Sequence, residues 1–175
     1  MPTGPARAAT HVSPVDDHHI ISQVTITVYA AITLLGVVAA ASLKKYATSE
    51  GELIAILVGA SVAVSIAHFW SSLMAHRLVH HSMPGGVELR REGQIVGSFF
   101  LVTGVTIGVV VVAGLLGQSF DTSVLIAEIV LISALFALGL FGALWAKTGW
   151  PKALAWGCLD AGIGVVIVVV KLIVG

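Results

Sequence analysis

Charge is the scarcest thing in this chain: 10% of its 175 residues are Asp, Glu, Lys or Arg, where soluble domains carry roughly a quarter. With 57% hydrophobic residues and a mean hydropathy of +1.02, a water-soluble globule is excluded and the solvent is lipid. Neither sign dominates, since nine Lys plus Arg meet nine Asp plus Glu, so no net field gathers nucleic acid. Cys158 is the single cysteine, which excludes an intramolecular disulfide and leaves the redox compartment open. Walker, HExxH, serine-hydrolase and dinucleotide motifs are missing too, which weighs against an enzyme.

What the chain does have is long uncharged runs. Residues 1–19 are polar, with Pro2, Pro5 and Pro14 among them, and read as a flexible tail. The remainder, 20–175, reads as one transmembrane domain of an all-α, polytopic helical bundle. Its five spans are expected at about 20–43, 53–81, 95–117, 123–146 and 153–174, each reaching the roughly 20 residues a bilayer core requires. Ala39-Ala40-Ala41 resembles a signal-peptidase site, but the apolar run before it exceeds the usual 7–15 residues, so span one is expected to be retained.

The polar breaks between spans are short. Pro84-Gly85-Gly86 stops the second span, and Val87 to Gln94 reads as a short interfacial helix leading into the third. Asp121, Thr122 or Ser123 is placed to cap the fourth, and Pro151 sits in the first turn of the fifth. Arg7, Arg77, Arg90, Arg91, Lys147 and Lys152 then share one side against Lys44, Lys45 and Lys171 on the other. The basic side faces the cytoplasm by the positive-inside rule, giving a multi-pass plasma (inner) membrane protein with a cytoplasmic N-terminus. Trp145, Trp150 and Trp156 mark the headgroup boundary of that side.

Small residues indicate where helices meet, because backbones must approach closely for helices to associate in lipid. Gly97, Gly104 and Gly108 of span three and Gly157 of span five are the candidate packing positions; chance pairing among 19 glycines is the plainer account. An odd number of spans leaves any two-fold symmetry to a homo-oligomer, for which a dimer is the expectation.

Function is sought among polar groups at membrane depth, which are costly and tend to line pathways. Ser61, Ser65, His68, Ser72 and His76 fall in a sector of about 80° on a helix turning 100° per residue, opposite Trp70. The stripe is either a water- or ligand-facing surface or a set of hydroxyls bonded back to their own helix. Asp160 of span five lies at a level where an Asp–His pair with His68 or His76 can bind a cation or relay a proton, and a hydrogen bond to Ser or Thr is the alternative. Glu128 completes the candidate pathway, and Lys171 is expected to snorkel to the outer surface. His76 and His80, one turn apart, together with His81, His18 and His19, form a candidate site for a borderline divalent metal; a solvated, histidine-rich helix end is the alternative.

Five spans with an inside N-terminus, a functional loop between spans two and three, Ala63-Val64-Ser65-Ile66-Ala67 followed by Trp70-Ser71-Ser72, and the ending Lys171-Leu172-Ile173-Val174-Gly175 resemble the vacuolar iron transporter family. The resemblance implies the topology and divalent-metal cargo. The sequence departs from the family where His68 to Ser71 replace its glutamate pattern, in the reduction of its carboxylate-rich insertion to Ser82 to Gln94, and in a span one without an interior aspartate. No site residue is carried over. The leading expectation is a cation transporter, for a divalent metal or coupled to protons. A non-catalytic assembly protein packing through its glycine faces is the alternative, and a redox protein with His68 as haem ligand is the third reading.

Overall fold

The computed structural model describes residues 14–43 and 45–174, with side chains from Val24 onward. Five helices make up the described chain: α1 (Pro14–Leu43), α2 (Glu50–His80), α3 (Gly86–Leu115), α4 (Phe120–Trp145) and α5 (Trp150–Val174). Each contains a segment long and apolar enough to cross a membrane, so the protein is a multi-pass helical membrane protein. The connections are too short for parallel neighbours, and the chain runs up and down through the bundle.

Local chemistry sets the helix ends. Ser49 caps α2 by accepting from the Glu52 backbone N–H at 3.4 Å, while Glu52 accepts from the Thr48 backbone N–H at 2.7 Å, a capping box displaced by one residue. At the other end, His81 adopts φ +51° and donates its N–H to the Arg77 carbonyl at 3.0 Å, so α2 stops ahead of Pro84 as the sequence indicates. Ser119, rather than Asp121, Thr122 or Ser123, caps α4, accepting from the Thr122 N–H at 3.3 Å. The helix starts at Phe120, which places those three residues inside its first turn. Pro151 is the second residue of α5, where a missing N–H costs nothing.

Two boundaries differ from the sequence reading. α1 already runs from Pro14, so positions 14–19 of the expected tail are helical. α3 is continuous from Gly86, because Val87 to Gln94 carries no proline and joins the span directly.

α1 is the hub. It packs against all four other helices, and Ala30, Ala31, Leu34, Leu35 and Val38 on it are fully buried. α4 and α5 form the most extensive pair, α2 lies on α3 and α1, and α2 has no substantial packing on α5. That arrangement divides the polar groups between two separate seams.

Candidate functional site

The first seam joins α2 to α3 beside α1, and it receives the polar stripe of α2. Ser61 is fully buried; its Oγ donates to the Leu57 carbonyl at 2.7 Å and lies 2.7 Å from Thr103 Oγ1 of α3. Both accounts of the stripe therefore hold at this position, a back-bond to its own helix and a contact across the interface. One turn further, Ser65 is buried and its Oγ has no hydrogen-bond partner. His68 follows, with Nε2 3.5 Å from Glu92 Oε2 of α3. These two atoms are also inaccessible and make no hydrogen bond. Ser72 and His76, further along, are partly buried, and Trp70 on the opposite face is 62% exposed.

Three unsatisfied polar atoms in a lipid-embedded bundle form a costly arrangement. Ser65 and His68 line a space of about 10 Å³ closed by Ile26, Val64, Val96 and Phe99. That is the scale of one water molecule. A shift of a few tenths of an ångström brings Nε2 and Oε2 into hydrogen-bond range.

The expected partner of His68, Asp160, stands elsewhere. It sits on the α4–α5 seam, where a methyl group added to Gly139 would collide with its carboxylate, and it also borders α1 at Val24 and Val28. Because α2 does not pack on α5, His68 and Asp160 belong to different interfaces. Glu92 takes the place expected of Asp160. Its position was readable: Glu92, Ile95, Phe99, Val102 and Thr106 recur at helical spacing, so the buried face of α3 extends back through Glu92. Beginning the span at Ile95 hid it.

Lys171, partly exposed, turns toward α4. Its Nζ donates to Glu128 Oε1 at 2.8 Å, with Glu128 only 3% exposed. Gly157 packs as expected: an added Cβ there would lie 2.9 Å from the Phe136 carbonyl oxygen. Among the described residues, Gly97, Gly104 and Gly108 pack against nothing, since a Cβ on any of them meets no atom within 4 Å. Their face of α3 points away from the other helices because Ile95, Phe99, Val102 and Thr106 supply the buried one.

His76 and His80 lie ring against ring, with centroids 4.6 Å apart. His81 is the exposed αL cap, and the side chains of His18 and His19 fall outside the described residues. Among the described residues, no three His, Cys, Asp or Glu side chains converge in a way that could hold a metal ion.

The fold and the seam define a small polytopic membrane protein with a partly buried His–Glu pair between two spans. No family model, curated protein or solved structure matches the chain.

Proposed function

We propose that the protein is a small cation permease of the plasma membrane, proton-coupled and with its N-terminus in the cytoplasm, whose proton-handling element is Ser65, His68 and Glu92. One observation carries the reading: the atoms Ser65 Oγ, His68 Nε2 and Glu92 Oε2 are buried without hydrogen-bond partners, and Ser65 and His68 line a water-sized space. Packing alone gives no return for three such atoms, whereas a site that exchanges a proton or coordinates a passing ion must leave its ligands unsatisfied at rest. Ser61 and Thr103 continue the polar file along the same seam. Arg77, Arg90, Arg91, Lys147 and Lys152 gather at the end proposed to face the cytoplasm. A divalent metal is the alternative cargo, delivered past His76 and His80.

The test is reconstitution into liposomes holding a pH-sensitive dye, with a potassium diffusion potential as driving force and zinc, manganese or ferrous iron added in separate arms. Wild type dissipates the imposed gradient, while His68→Ala and Glu92→Gln lose most of the flux. Wild-type liposomes no leakier than empty ones, in every arm, would falsify the reading.

A second reading has its own observation. Gly97, Gly104 and Gly108 lie on a face of α3 that no other described residue covers, as in an assembly protein that docks a partner helix or a second copy. It predicts that Gly104→Leu disrupts complexes while His68→Ala is silent.

A further inference from the structure

Asp160 is left over by this account. It lies midway along α5, pairs with no cation among the described residues, and lines the first of two adjoining grooves, one between α1, α4 and α5 and the other between α1 and α4. The first groove, about 380 Å³, runs from Asp160 and Trp156 past Gly139 and Gly142. The second, about 630 Å³, continues between Thr25, Ala137, Phe141 and Trp145. Val24, Leu138, Gly142 and Ala146 line both, so the two adjoin along α4 as a trough in two parts.

The two ends of the trough differ in chemistry. Its length is hydrocarbon and aromatic, and its other end holds a carboxylate whose charge no Lys or Arg among the described residues offsets. An uncompensated acid at membrane depth is expensive, and a bound cation is the direct remedy. A hydrated metal ion fits this lining poorly, because apolar walls cannot replace its water. An organic cation with bulky apolar substituents satisfies both parts, placing its charge against Asp160 and the face of Trp156 and its body along Phe141 and Trp145.

We propose that the α1–α4–α5 trough is a binding site for lipophilic organic cations, such as hydrophobic amines and quaternary ammonium or phosphonium ions, with Asp160 as counter-ion. The site is separate from the His68–Glu92 seam, and its occupancy is read by binding rather than by flux.

The experiment measures equilibrium binding of radiolabelled tetraphenylphosphonium to the purified protein in maltoside micelles. Tetraphenylborate, nearly the same shape with opposite charge, serves as the comparison. Wild type binds the phosphonium saturably and the borate about tenfold or more weaker, and Asp160→Asn loses about tenfold or more in phosphonium affinity. Asp121→Asn, which removes an exposed carboxylate at the opposite end of α4, binds as wild type. Should Asp160→Asn fail to fold, Gly142→Leu carries the test: a Cβ there meets nothing within 4 Å, so the new side chain enters the trough without strain and blocks binding. Equal affinity for the two ions marks a trough filled by lipid chains and overturns the proposal. So does wild-type phosphonium binding by a folded, monodisperse Asp160→Asn or Gly142→Leu protein.

Discussion

Lys171 and Glu128 face each other across the α5–α4 interface at 2.8 Å, and helix geometry explains why they meet. In a helix each side chain leans toward the N-terminus of its own element. α4 and α5 run antiparallel, so Lys171 leans back into the bundle while Glu128 leans toward it. Lys171 sits about one turn further from the α4–α5 connection than Glu128, a gap its four-carbon stem covers.

Breaking this pair by removing one partner leaves a charge in lipid. Lys171→Met and Glu128→Gln are each expected to cost about 3–5 kcal/mol, whereas Lys171→Met combined with Glu128→Leu recovers most of it. Thermal unfolding in detergent, arranged as a double-mutant cycle, measures the coupling. Additive single changes would show that the pair is incidental.

Glycines separate into two kinds. Gly157→Ala drives a methyl group against the Phe136 carbonyl oxygen at 2.9 Å, backbone that cannot easily yield, and is expected to destabilise by about 1–3 kcal/mol. Gly104→Ala meets nothing within 4 Å and is expected to leave the unfolding temperature unchanged or higher, since alanine favours helix. The reverse order of stabilities would overturn this assignment of packing faces.

Ser61→Ala removes the hydroxyl contact to Thr103, the hydrogen-bonded link between α2 and α3 at 2.7 Å. Interhelical bonds of this kind average about 0.6 kcal/mol in membrane bundles, so a small loss of stability is expected. If the polar file serves transport, flux falls by more than that loss implies, and parallel melting and liposome assays separate the two.

His81 and Lys147 hold φ of +51° and +56°, a conformation that costs an L-residue about 1–2 kcal/mol. Replacing either with glycine is expected to raise stability by about 0.5–1 kcal/mol after glycine's extra unfolded-state entropy is counted. An unchanged or lower unfolding temperature would argue that the side chain itself is needed at the helix end.

The five helices were legible because uncharged length is a strong signal, and so were the inward faces of Ser61 and Ser65, which one period places together. Partners were harder. Choosing Asp160 for His68 relied on depth alone, and depth does not say which helices touch; that depends on α1 occupying the centre and keeping α2 away from α5. Glu92 was missed because charge was taken as the end of a span, although it continues the spacing of Ile95 and Phe99. For Lys171, treating a long basic side chain as bound for the surface overlooked that Ala153, Gly157 and Gly164 lie on its own face of α5 and are buried.

The central place of α1 has a consequence for how the protein is made. α1 leaves the ribosome before the other four helices, yet Leu35 on it is covered in part by the Gly164 position of α5, the last to emerge. During synthesis the core-forming surface of α1 therefore waits in lipid until the α4–α5 hairpin arrives. A nascent chain cut short before α5 would expose that surface to membrane quality control, so the packing around Leu35 is complete only once α5 has been inserted.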